Sequence, residues 1–143
     1  MSGELSLKLL IESLNPLLAL ESFVFCCVSE QELVDFPAAD ITVMVREAEG
    51  ITLILSAEVA ARHGFSTEAQ FACITLQVHS SLQAVGLTAV VASQLAGQGI
   101  SANVVAGYYH DHIYVAEADG ERAVEMLRGL TPDAIDRFLG DGF

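Results

Sequence analysis

The most constraining feature of this chain is a switch of hydrophobic period that occurs twice in the same order. Residues 41–46 alternate, with Ile41, Val43 and Val45 on one side and Thr42, Met44 and Arg46 on the other, and residues 47–50 turn the chain into a second apolar stretch, 51–55. A period of two marks strands with one buried face, so this region predicts a β-hairpin. Ser56 then stands at a helix cap position, and residues 58–63 carry a short helix stopped by Gly64. About 60 residues later the order returns. Residues 70–80 alternate around Ile74, Leu76 and Val78, and residues 85–98 carry the helical stripe Leu87, Val90, Val91 and Leu95, ended by Gly97 and Gly99. Residues 101–106 and 113–116 make a second hairpin, and Ala123, Met126, Leu127 and Leu130 make a further helix. Each half therefore reads β-α-β-β-α. In the first half the leading helix shrinks to a turn over residues 29–35, before Pro37.

Around this repeat, Leu7, Leu10, Ile11 and Leu14 fall at i, i+3, i+4 and i+7 and predict an amphipathic helix that ends before Pro16. Residues 17–20 and 21–29 read as one strand or two. Near the C-terminus, Thr131 and Pro132 open a last amphipathic turn carrying Ile135, Phe138 and Leu139. A β-α-β-β-α-β unit is the split βαβ arrangement, so the predicted fold class is α+β: two ferredoxin-like βαββαβ units, each with an antiparallel sheet and its helices on one face. The expected division is 1–66 for the N-terminal helix and a first, degenerate unit, 67–131 for the second unit, and 132–143 for a helical tail. Residues 70–80 are long enough to close the first unit and open the second. The second unit then takes its last strand from residues 17–20 or from a partner chain. The sheet face without helices needs cover, which pairing of units provides.

Composition narrows the function classes. Nineteen acidic residues against six basic ones give a net charge of −13, and the arginines are scattered singly, so neither nucleic acid nor an anionic membrane surface is an expected partner. The longest uninterrupted apolar run, residues 23–28, is far short of a membrane span, and no basic segment with an apolar stretch opens the chain. A cytoplasmic location is expected. Hydrophobic residues make up 52% of the chain and charged residues 17%, an apolar excess that predicts cover by a second subunit and hence a homo-oligomer, most simply a dimer. Cys26, Cys27 and Cys73 form no C-x-x-C pair and read as small buried hydrophobes whose thiol pKa burial would raise.

The segment His79-Ser80-Ser81-Leu82-Gln83-Ala84-Val85-Gly86-Leu87, the helix that follows it, then Gly99-Ile100-Ser101-Ala102-Asn103-Val104 and the run from Tyr108 to Val115 resemble an ACT domain. More narrowly, the chain resembles the small bacterial proteins made of two ACT-like units without an attached enzyme. The resemblance is close over residues 71–130 and extends over 21–64. It implies a sensor of amino acids or similar small zwitterions, bound between two units where the loop after the first strand meets the start of the second strand. Mapped here, the implied ligand-binding residues are Ser81, Ala84, Val85, Gly86 and Leu87 in the loop, with Ile100, Asn103 and Val104 at the strand. Gln83 and Val85 stand where the common ACT signature has an Asp and the Pro of a Pro-Gly pair. Elementary chemistry points the same way: Gly86 heads a helix whose first amides lack internal partners and favour a carboxylate, and Asn103 offers both an acceptor and a donor. Tight helix packing at Gly86 and a local backbone bond from Asn103 are the structural alternatives.

His110-Asp111-His112 is the one cluster of metal-type side chains, with its two imidazoles on one side of a strand. A metal would need a third ligand, from His79 or from a partner subunit, so the expectation is no metal and a solvated hairpin turn. No cofactor is expected either, because no phosphate loop, G-x-S-x-G elbow or H-E-x-x-H occurs, and no catalytic residues are assigned. The chain reads as a regulatory, ligand-sensing module rather than an enzyme. The alternatives are a structural or protein-interaction module without ligand and a metal-responsive protein using His110 and His112.

Overall fold

A computed structural model of the chain describes residues 3–78 and 86–140. In chain order the elements are α1 (Gly3–Glu12), β1 (Pro16–Val28), α2 (Glu30–Leu33), β2 (Val43–Glu47), β3 (Gly50–Ser56), α3 (Ala57–Arg62), β4 (Phe71–Leu76), α4 (Leu87–Ala96), β5 (Asn103–Ala106), β6 (Asp111–Ala116), α5 (Gly120–Arg128) and α6 (Ala134–Leu139). The class is α+β, with two ferredoxin-like units built on antiparallel strands and helices on one face. By internal contacts the chain divides into a smaller unit, Leu20–Phe71, and a larger one made of Met1–Ala19 with Ala72–Phe143.

In the smaller unit the strand order is β2-β3-β1. β1 runs antiparallel to β3 from Phe23↔Ser56 to Val28↔Ile51, and β2 pairs with β3 from Val43↔Ile54 to Glu47↔Gly50. Alternation then sends Val24, Val28, Ile51, Leu53 and Leu55 to the helix side, where they form one core with Phe36, Val59 and Ala60. Both short helices start on serine caps. Ser29 Oγ accepts from the Glu32 amide at 3.1 Å while Glu32 Oε1 accepts from the Ser29 amide at 3.1 Å, and Ser56 Oγ accepts from the Val59 amide at 3.2 Å. α2 lasts four residues, as the Pro37 stop predicts. Gly64, at φ 81°, ends α3 in the left-handed region that favours glycine.

In the larger unit the strand order is β1-β4-β6-β5, and β5 pairs antiparallel with β6 from Asn103↔Tyr114 to Ala106↔Asp111. The place beside β4 is therefore filled by the opening of β1, within the same chain; of the two sources open to the sequence, residues 17–20 supply the strand. Leu7, Ile11 and Leu14 of the N-terminal segment, all 3% exposed or less, join the core formed by Ile74, Leu76, Ile113, Val115 and α4 to α6. α1, α5 and α6 all pack on α4. This explains the composition of α4, which is apolar almost all round: Leu87, Val90, Val91 and Leu95 are buried, and Ala92 is half-buried.

Three local expectations are corrected. β4 ends at Leu76, so Gln77 and Val78 lie outside the strand expected over 70–80. α6 begins at Ala134 with Asp133 in the cap position, because the Thr131 hydroxyl donates to the Asp133 carboxylate and Pro132 stays in the turn before it. Cys27 is exposed rather than buried, since it alternates with Cys26 on β1, while Cys73 is buried. No helix among the described residues is long and apolar enough to cross a membrane.

Candidate functional site

The site expected from the sequence centres on the start of α4. Gly86 holds φ 98° and ψ −23°, a left-handed conformation that glycine adopts without steric cost, and its carbonyl accepts the Val90 amide at 3.0 Å. A glycine cap has no side chain to accept from the first-turn amides, which have no intrahelical acceptor. Those amides and the positive end of the helix dipole face the side from which the chain enters α4. Leu87 is 3% exposed and packs into the core, so its backbone rather than its side chain is available there. Ser81, Ala84 and Val85, like His79, lie outside the described residues.

The other half of the expected site is the start of β5. Ile100 is 1% exposed, and its amide donates to the Leu95 carbonyl at 3.0 Å. Val104 leans on the core, and Asn103 points to the opposite face of the sheet, exposed. Asn103 Nδ2 donates to the Tyr114 carbonyl at 3.2 Å, which leaves Oδ1 as the atom available to a ligand donor. Register separates Asn103 from the end of β4. Asn103 pairs with Tyr114, whose side chain bonds Cys73, while Val105 pairs with His112, whose ring bonds Thr75. Asn103 thus sits level with Cys73, four residues or about 13 Å along the strand direction from Gln77, and two strands across the sheet. Register thus places Asn103 away from the end of β4.

At the far end of the hairpin, the Gly107 amide donates to the His110 carbonyl at 2.9 Å and closes the turn, on which Tyr108 and Tyr109 are exposed with their rings edge to face at 5.0 Å. His112 Nδ1 lies 2.9 Å from the Thr75 hydroxyl, so one of its two ring nitrogens is already engaged. Burial is the main cause that holds the His112 pKa below its ordinary value, helped by His110 and opposed by Asp111. Thr75 also bonds the Cys73 thiol, which in turn bonds Tyr114. Burial pushes both the thiol and the phenol up, so neither is ionised near neutral pH. This string of Tyr114, Cys73, Thr75 and His112 crosses β6 and β4, and sequence spacing gave no sign of it. Burial likewise raises the Cys26 pKa. Among the described residues no three or more His, Cys, Asp or Glu side chains gather as a metal site. The smaller unit carries one described cavity of about 380 Å³, lined by Glu21, Ser22, Ser56, Glu58 and Gln70 among others, and none of the expected site residues is in it.

Two family models match the chain, both described as ACT domain, over residues 2–73 and 68–129. No curated protein matches it. Among solved structures, a protein of unknown function from Vibrio cholerae, described as a possible transport protein, is 47% identical, with a TM-score of 0.75, the match covering 89% of this chain and 96% of that one. The regulatory subunit of aspartate kinase from Thermus flavus is 9% identical, with 78% and 94% covered and a TM-score of 0.55. The aspartokinase alpha and beta subunits are 12% identical, with 78% and 93% covered and a TM-score of 0.57. At such identity these last two share the fold alone. Together the two ACT domain matches span residues 2–129.

Proposed function

The chain belongs to the ACT domain family, and from that premise we propose that it is a cytoplasmic regulatory module that binds a free amino acid or a similar small zwitterion. The observation that carries the reading is the start of α4. A glycine-capped helix end in the first-helix position of an ACT unit supports a site where backbone amides take the ligand carboxylate. Asn103 Oδ1 then accepts from the ammonium group, and apolar side chains near the loop face the ligand side chain. The reading includes a homodimer in which the loop of one copy meets β5 of the other, which the apolar excess of the chain supports.

The test is a thermal-shift screen of the twenty common amino acids on the wild-type protein and on Asn103→Ala. A ligand at 100 times its dissociation constant stabilises the folded state by about 2.7 kcal/mol, which at this chain length raises Tm by about 5 to 10 °C. Asn103→Ala removes its bond to the Tyr114 carbonyl and lowers the unliganded Tm by about 2 to 5 °C, and it should also abolish most of the ligand-induced rise. If no amino acid shifts Tm, or if the shift survives intact in Asn103→Ala, the amino acid site is refuted. A stable 15.2 kDa monomer by sedimentation, with and without ligand, refutes the shared site.

A further inference from the structure

Asn15 is the only non-glycine among the described residues with a positive φ, 42°. It precedes Pro16, and a proline disfavours helical conformations at the residue before it. Asparagine tolerates the left-handed region better than most residues, yet such a backbone persists only where its surroundings hold it. Two hydrogen bonds do so, both to Gln77. Asn15 Nδ2 donates to Gln77 Oε1 at 2.6 Å, and the Gln77 amide donates to the Asn15 carbonyl at 3.3 Å. Both side chains are exposed, so the pair is not part of the core. Its position is informative. Gln77 is the first residue beyond β4, and Asn15 joins α1 to β1. α1 itself packs on α4, with Leu7, Ile11 and Leu14 in the same core as Leu87 and Val90. One N-terminal segment therefore holds both flanks of the stretch that leaves β4 and enters α4 at Gly86.

We infer that Asn15 and Gln77 are positioning residues for the start of α4, clamping the end of β4 to the α1–β1 junction so that Gly86 is presented in its binding conformation. The functional meaning of the clamp rests on the ligand-binding reading above, but the clamp is measured without ligand. Its loss unties the end of β4 from the N-terminal segment that packs on α4, and the amide that reports this at the start of α4 is Val90, bonded to the Gly86 carbonyl at 3.0 Å.

Native-state hydrogen exchange on the full chain tests it, comparing wild type with Gln77→Ala, Asn15→Gly and Gln77→Glu. Asn15→Gly removes the side-chain bond while keeping the left-handed backbone accessible, and Gln77→Glu keeps an acceptor oxygen for Asn15 Nδ2. In Gln77→Ala and Asn15→Gly the Val90 amide should exchange about five- to tenfold faster, the factor expected from one lost hydrogen bond, while Leu53 in the smaller unit is unchanged. Gln77→Glu should restore the wild-type rate. Unchanged Val90 exchange in both variants, or an equal acceleration at Val90 and Leu53, overturns the clamp, the second outcome meaning a general loss of stability. Each variant is then titrated with the amino acids of the thermal-shift screen. Weaker binding in Gln77→Ala by a similar factor, recovered in Gln77→Glu, supports the positioning role. If none of the amino acids binds wild type, the ligand reading falls and Val90 exchange alone decides the clamp.

Discussion

Gly120 offers a direct measure of how closely the helices of the larger unit sit on their sheet. It opens α5 with φ −55° and ψ −54°, ordinary right-handed values that any residue adopts, so its backbone does not require glycine. Space does. A Cβ built there would lie 2.9 Å from the Ala72 Cβ on β4 and 3.3 Å from Leu18 Cδ1 on β1. In Gly120→Ala two effects oppose each other. Alanine gains up to about 1 kcal/mol over glycine in a helix. Against this, the new methyl sits roughly 1 Å inside an ordinary carbon–carbon contact, and overpacking of that kind costs about 1 to 3 kcal/mol. Leu18 can turn its side chain away, but the Ala72 Cβ is fixed to the strand, so α5 and β4 must separate. The steric term wins, with a net loss of about 1 kcal/mol and a Tm drop of about 3 to 4 °C at this chain length. Urea unfolding of Gly120→Ala, Ala72→Gly and the double variant measures it as a cycle. Ala72→Gly removes the methyl in the way, so the double variant should be more stable than the sum of the single effects by about 1 to 3 kcal/mol. Gly129→Ala is the control, since a Cβ there meets only the Glu125 and Met126 carbonyl oxygens at 3.7 Å, ordinary contacts; it should be neutral or slightly stabilising. If Gly120→Ala is stabilising, or the coupling with Ala72→Gly is under about 0.5 kcal/mol, the close approach is not what keeps glycine at this position.

Two further outcomes follow from the same core. Ile11→Ala removes a side chain that is 3% exposed between α1 and α4 and should cost about 2 to 5 kcal/mol, read as a lowered urea midpoint at unchanged slope; a loss under about 1 kcal/mol would show that α1 is not part of this core. His112 is held below its ordinary pKa, so the unfolded chain takes up the extra proton first as pH falls; its contribution to stability is complete above about pH 6.5 and is lost below it. Between pH 7.5 and 5.5, about one unit either side of an ordinary histidine pKa, His112→Asn should therefore lose less stability than wild type, and equal losses would refute the assignment.

The fold was legible where local chemistry decides it. The switch from period two to period 3.6, the serine cap at Ser56, and the stops at Pro37 and Gly64 all appear in the structure at the expected places, because each depends on residues a few positions apart. What periodicity does not carry is partner choice. Leu7, Ile11 and Leu14 announce a helix with one apolar face, and nothing in their spacing says that the face meets α4, some 80 residues away. The use of residues 17–20 as the strand beside β4 was open for the same reason. A short apolar run fits either a strand of its own chain or one borrowed from a partner, and only the completed sheet distinguishes them.

For the candidate site the division falls differently. Gly86 was singled out for its place at the head of a helix, and it adopts the left-handed conformation that gives glycine a reason to be there. Asn103 was read as either a ligand contact or a local backbone bond, and its two polar atoms serve different ends: Nδ2 is spent on the Tyr114 carbonyl, while Oδ1 points away from that bond. Asn15 and Gln77 gave no signal, being an ordinary polar pair 62 residues apart. A contact of this kind has no period and no motif; it becomes visible only when β1 and β4 lie side by side, which puts Asn15 at the end of one strand opposite Gln77 at the end of the other. The Asn15–Gln77 pair thus depends on the same strand pairing that joins the two ends of the sequence into the larger unit. A change at Asn15, more than 70 positions before Gly86, is for that reason expected to be felt at the start of α4 before it is felt at Val28 or Leu53 in the smaller unit.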